Sequence, residues 1–108
     1  MATQRIASGQ TTPGSTAWQQ YQGGAGVYVD VNTSAGKFST VPAYITSIGG
    51  NTNHWATTGA TSIYPTPPNL LPTATGFRVY VRWANGAALT PATANQYKWH
   101  INWIGMEL

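Results

Sequence analysis

The stretch Thr75-Gly-Phe-Arg-Val-Tyr-Val-Arg-Trp83 decides how the chain is read. Phe77, Val79, Val81 and Trp83 fall on one face of an extended segment, and Arg78, Tyr80 and Arg82 fall on the other. This period-2 alternation, carried by β-branched and aromatic side chains, is that of a half-buried strand. Gly76 supplies the turn that feeds it. Tyr97–Met106 repeats the pattern, with Tyr97, Trp99, Ile101 and Trp103 facing one way. Between them Ala84–Gln96 is a soft loop of Ala, Thr, Asn and Gly, so the pair is read as an antiparallel hairpin.

Upstream, Val27–Asn32 is a second clear strand, with Val27, Val29 and Val31 inward and Tyr28 and Asp30 outward. Phe38–Ile48 is a third, and Pro42 near its start suits an edge or a strand beginning. His54–Ile63 reads as another, weakened by Gly59, and Arg5-Ile6-Ala7 as a short one ended by Ser8-Gly9. Trp18 and Tyr21 are large aromatics in a polar context; they either cover the edge of the core or form part of a binding rim. Gly23-Gly24-Ala25-Gly26 is a flexible turn, without the helix or the Lys-Ser/Thr pair of a phosphate loop. In Pro65–Pro72 four of eight residues lack an amide donor, so it is an extended surface loop, with Leu70 and Leu71 tucked back or offered to a partner. No window carries a 3.6-residue period, and no helix of consequence is expected. The whole is one all-β domain over residues 1–108, an antiparallel β-sandwich of five or six short strands.

Composition narrows the function. There are no cysteines, hence no disulfide and no thiolate metal site. Charged residues are 6% of the chain, against about 25% in ordinary soluble proteins, so solubility rests on Thr, Ser, Asn, Gln and Gly. A net charge of +3 from so few groups builds no field of the nucleic-acid-binding kind. No apolar run approaches the ~20 residues of a membrane span, and the amino terminus shows no apolar leader segment. Localisation stays open on these grounds.

Catalysis is poorly provided for. Asp30 and Glu107 are the two carboxylates of the chain, and a glycosidase needs such a pair flanking one bond. His54 and His100 lie on different expected strands without metal-ligand spacing. No Gly-x-Ser-x-Gly elbow is present. The chain is therefore expected to be no enzyme and to need no cofactor. Binding fares better, because flat aromatic faces stack on sugar C–H surfaces while amides and guanidinium groups hydrogen-bond hydroxyls. Arg82 and Trp83 sit where a strand meets the Ala84–Gln96 loop, and His54 and Trp55 follow the Gly49–Asn53 turn. Strand ends beside loops are where binding sites are commonly grafted.

Phe38-x-x-Val-Pro-Ala-Tyr-Ile-Thr-Ser-Ile48, the Thr75-Gly76-Phe77 strand start and the closing Ile101-Asn-Trp-Ile-Gly-Met-Glu107, with an early Arg5-Ile-Ala-Ser-Gly9, occur in an order and spacing that resembles the H-type lectin domain. That is the domain of snail agglutinins and of the carboxy-terminal part of slime-mould discoidins. The resemblance implies a six-stranded antiparallel β-sandwich that assembles as a trimer, or a dimer of trimers. It also implies glycan partners, galactose or N-acetylgalactosamine, bound near protomer boundaries. Trp83 resembles the family's aromatic after the Thr-Gly-Phe strand, and Tyr97 the tyrosine that opens the last strand. The chain departs from the family at Ala84, where a His is usual, at the Gly23–Gly26 loop, which leaves Asp30 as the nearest acid, and over Asn51–Tyr64, which has no Arg. The expected sugar contacts are Arg82, Trp83 and Tyr97, then His54 and Trp55 from a neighbouring chain, with Asp30 as the acid. The alternative is a trimeric adhesion or scaffold module that has lost its sugar site.

Overall fold

The computed structural model of the protein describes residues 5–108; Met1–Gln4, part of the amino-terminal reading above, lie outside them. The chain runs β1 (Ile6–Gln10), β2 (Gln19–Gln20), β3 (Val27–Asn32), β4 (Ala43–Gly49), β5 (Thr57–Thr58), β6 (Gly76–Trp83), α1 (Pro91–Gln96) and β7 (His100–Met106). Single 3-10 turns fall at Ser34–Gly36 and His54–Ala56. The fold is mostly β, in two antiparallel sheets ordered β1-β7-β4 and β2-β3-β6-β5.

The alternation sorts the two central strands as expected. Val27, Val29 and Val31 of β3 and Phe77, Val79 and Val81 of β6 are buried, and the register sets Val29 opposite Val79. Ile101 and Trp103 of β7 are buried from the other sheet. The inward residues of both sheets form one cluster with Trp18, Leu89, Ala94 and Trp99.

The expected hairpin does not form. Strand β6 belongs to the four-stranded sheet and β7 to the three-stranded one. Both strands have one strongly apolar face, and burial is satisfied as well by opposing those faces across a core as by pairing side by side. Ala84–Gln96 is the arch between the sheets, and it contains the helix that the sequence did not announce. In α1, Pro91 opens the first turn and the Thr90 side chain accepts from the Thr93 amide. Its one buried residue is Ala94. Six residues are too short for a helical period to show.

Other segments differ from their reading as well: β1 continues through Ser8-Gly9 to Gln10, and the strand expected from Tyr97 begins at His100, because Tyr97 closes α1. His54–Ile63 is not one strand. Asn53, at φ 62°, opens the 3-10 turn, β5 follows as two residues, and Gly59 at φ 103° ends it. A Cβ on Gly59 would collide with the Tyr80 carbonyl oxygen, so the backbone passes there only as glycine. Tyr64 then rejoins β6 through a two-way backbone pairing with Arg78. The strand expected from Phe38 begins at Ala43. Phe38 instead turns inward, edge-on to Tyr44 and Trp103.

Side chains tie the sheets together. The Tyr44 hydroxyl of β4 donates to the Thr73 carbonyl at 2.7 Å and lies 2.7 Å from Thr33 Oγ1. Burial pushes that hydroxyl's pKa up from its ordinary value, against a smaller opposing effect of Thr33, and keeps it a donor. Thr46 donates to the Ala60 carbonyl at 2.7 Å. At the opposite end Trp18 Nε1 donates to the Trp99 carbonyl and Trp99 Nε1 to the Thr52 carbonyl. Leu70 and Leu71 of the proline-rich loop are not tucked back; they are 90% and 73% exposed.

Candidate functional site

The outward side chains of β3 and β6 make a layer of their own. Tyr28 faces Tyr80, and Asp30 faces Arg78, in direct cross-strand pairs. Arg78 forks onto Asp30, with Nε to Oδ1 at 2.6 Å and Nη2 to Oδ2 at 3.1 Å. Its guanidinium also lies 4.2 Å from the Tyr28 ring centre. The Asp30 hydrogen bond, chief among several causes, holds the Arg78 guanidinium above its already high ordinary pKa. Donors used in this way are fixed in place.

Tyr80 is the hub of this layer. Tyr64 meets it edge-on at 4.9 Å between ring centres, Tyr21 edge-on at 5.5 Å, and Tyr28 tilted at 5.6 Å. Beside it opens a groove of about 550 Å³. Tyr21, Ala25 and Gly26 form one wall, Thr58, Gly59, Ser62 and Tyr64 the other, and Tyr80, Val81 and Arg82 the floor between them. That volume is within the range of small-molecule sites. Two close backbone approaches shape it. Gly59 lies against Tyr80 as described, and a Cβ on Gly26 would stand 2.8 Å from the Val81 carbonyl oxygen. The Gln20 side chain braces the first wall by donating to the Gly26 and Leu89 carbonyls, each at 2.8 Å.

The residues singled out in the sequence fall in three places. Arg82 points outward, exposed, into the groove. Asp30 lies on the same face but is engaged by Arg78. Trp83 and Tyr97 are half-buried and packed against the core, edge-on and tilted on the buried Trp99 at 5.1 Å and 5.8 Å. His54 and Trp55 sit on the 3-10 turn beside β5, their rings 5.1 Å apart, with Trp55 71% exposed. The structure thus separates Arg82 from Trp83 by the thickness of a sheet, because consecutive strand residues point to opposite faces.

Trp18 and Tyr21, left open between core and rim, divide: Trp18 is buried and Tyr21 stands at the groove. The sequence reading missed Tyr64 and Tyr80 as site residues. The outward placement of Tyr28, Asp30, Arg78 and Tyr80 was visible in the alternation, and the clue was that two tyrosines and an arginine occupied faces that water alone would not require. What the alternation lacked was the β3–β6 register.

Asp30 lies in β3 and Glu107 just beyond the end of β7, each with its own partners. Glu107 Oε2 accepts from the Ser39 amide and hydroxyl at 2.8 and 2.9 Å and from the Thr40 amide at 3.1 Å. The Ser39 hydroxyl, then the Ser39 and Thr40 amides, hold this carboxyl below its ordinary pKa. Among the described residues no group of three or more His, Cys, Asp or Glu is placed to hold a metal ion, and no helix is long and apolar enough to cross a membrane. Comparison of the chain with protein-family models, with curated proteins and with solved structures gives no match.

Proposed function

We propose that this protein is a carbohydrate-binding lectin that takes a terminal sugar, of the galactose or N-acetylgalactosamine type, in the tyrosine-lined groove. The observation that carries the reading is the groove itself. Tyr21 and Tyr64 each meet Tyr80 edge-on, all three line the groove, and Thr58, Ser62 and Arg82 line it with them. A pyranose has apolar C–H faces and a rim of hydroxyls, and it needs those two kinds of surface at once. In this reading Trp83 and Tyr97 pack on Trp99 away from the groove, and Trp55 is available to a sugar held by a neighbouring copy. The H-type lectin sandwich is the fold we assign, although the strands here number seven in a three-plus-four arrangement, two of them only two residues long. The order of its motifs along the chain and the two antiparallel sheets support that assignment.

We further propose a trimer that works by avidity, with several weak sites engaging a multivalent glycan surface together. The outer face of the three-stranded sheet supports self-association. Ile6, Ile45 and Ile104 are 65%, 55% and 43% exposed there, and the paired rows Ile6–Met106–Ala43 and Ser8–Ile104–Ile45 carry no charge. Adjacent apolar residues of this kind mark interaction surfaces.

Glycan binding by the intact protein, run beside light scattering, tests both parts. Tyr80→Ala removes the hub and is expected to weaken sugar binding by about two- to tenfold, since an aromatic contact contributes roughly 0.5–1.5 kcal/mol. Unchanged binding in a folded Tyr80→Ala protein sinks the groove as the site. A second reading, a trimeric adhesion or scaffold module without a sugar site, is favoured by the isoleucine face, which needs no ligand to explain it. A trimer that binds no glycan at high concentration selects that reading.

A further inference from the structure

We propose that the groove selects sugars carrying an acidic oxygen group, a carboxylate or a sulfate, over their neutral parents. The inference rests on the sugar-binding reading and gives its ligand a charge. Arg82 is the one cation that lines the groove, and no acid lines it. Among the described residues its guanidinium makes no ion pair and no side-chain hydrogen bond.

The other arginine on the same face shows what a satisfied one looks like. Arg78 spends its Nε and Nη2 donors on Asp30 and lies over the Tyr28 ring. The only other carboxylate of the side chains, Glu107, is held at Ser39 and Thr40 beyond the end of β7. No side-chain carboxylate is therefore left to offer Arg82. A guanidinium stays charged at every ordinary pH and presents paired donors that match a carboxylate or sulfate edge. Neutral sugar hydroxyls would be served as well by the Thr58 and Ser62 hydroxyls already there, and would leave the cation uncompensated. With two tyrosine walls beside it, an anion seated on Arg82 is partly shielded from water, where a charge pair counts for more than on an open surface.

Three probes that share one ring make the test: galactose, galacturonic acid and galactose 6-sulfate, titrated by calorimetry or protein-observed NMR. The intact protein is expected to bind at least one acidic probe about tenfold or more tighter than galactose, with the advantage shrinking as salt is raised. Which acidic probe wins separates carboxylate from sulfate recognition. Arg82→Gln is expected to bring acidic and neutral probes within about twofold of each other, because the acidic probes lose more affinity than galactose does, and Arg82→Lys to keep part of the preference. Arg5→Gln, which removes a charge from the other sheet, is the control. Equal affinity for all three probes in the intact protein overturns the acidic preference and leaves the sugar site standing. An equal loss in Arg5→Gln overturns it too, by assigning the effect to net charge. Binding of no probe, with Tyr80→Ala indistinguishable from the parent, overturns the sugar site and this inference together.

Discussion

The two outward faces of the molecule come from the same alternation and carry opposite chemistry. On the four-stranded sheet the residues turned to solvent are Tyr28, Asp30, Arg78, Tyr80 and Arg82, and they crowd into an aromatic layer beside a groove. On the three-stranded sheet they include Ile6, Ser8, Ile45, Asn102, Ile104 and Met106, with no Asp, Glu, Lys or Arg among them. The inward faces differ far less, since both are valine, isoleucine and aromatic residues sharing one core. Burial dictates the inner pattern on any sandwich-like fold. The outer residues are free of that demand, so what stands there speaks to use.

The comparison is broken most severely from the inside. Trp99 is fully buried, donates to Thr52 and accepts at its carbonyl from Trp18. Trp99→Ala is expected to cost about 3–5 kcal/mol and to take both faces down together in one unfolding transition by circular dichroism. If glycan binding is lost while the melting temperature holds, the tryptophan is acting at the site rather than in the core.

One face at a time is the next step. A double change, Ile45→Arg with Ile104→Arg, places like charges on directly opposed residues of the isoleucine surface. Light scattering should then give a monomer at micromolar concentration, with groove affinity for a monovalent sugar unchanged and avidity for a glycan surface lost. A variant that keeps the parent's mass removes this face from the assembly.

On the other face, Asp30→Asn frees the Arg78 fork. The pair is partly solvent-exposed, with side-chain accessibilities of 16% and 44% for Arg78 and Asp30, so the loss in thermal stability should stay under about 1 kcal/mol. A larger stability loss would show that the ion pair, and not the tyrosines, organises this layer.

The smallest effect belongs to neither face. Because the Glu107 carboxyl is held below its ordinary pKa, its contribution to stability is present above the usual carboxylate range and is lost as the pH falls through the folded-state value. The parent should therefore lose thermal stability more steeply than Glu107→Gln does as the pH falls below the ordinary carboxylate range. Parallel curves would mean that the Ser39–Thr40 cradle adds nothing.

The parts of the fold legible in the sequence were those where one strand explains itself. Val27–Asn32 and Gly76–Trp83 were read with the right residues on the right sides. The β6–β7 relation was misread because alternation says which side chains share a face, and not whether the partner lies beside the strand or across the core. Helix α1 and the His54–Ala56 turn were too short to leave a period. The groove was harder still, because Tyr21, Tyr64 and Tyr80 come from three separated segments joined only by register. Trp83 and Tyr97 drew attention as aromatics beside a loop, but large rings next to Trp99 gain more from packing than from water. Arg82 stood out from sequence and lines the groove because the alternation of β6 turns it outward.

The Tyr44 hydroxyl, bound to Thr33 and Thr73 at one end of the molecule, and Trp18, bound to Trp99 at the other, fasten the sheets at both extremes. Sheets pinned at two points can neither slide nor pivot independently, so the tyrosine groove keeps a constant bearing relative to the isoleucine surface. In an assembly built on that surface, every groove would then sit at a set pitch from the next. Such a body would act as a ruler, gripping ligands spaced to match it and letting go of the same ligands when they are sparse.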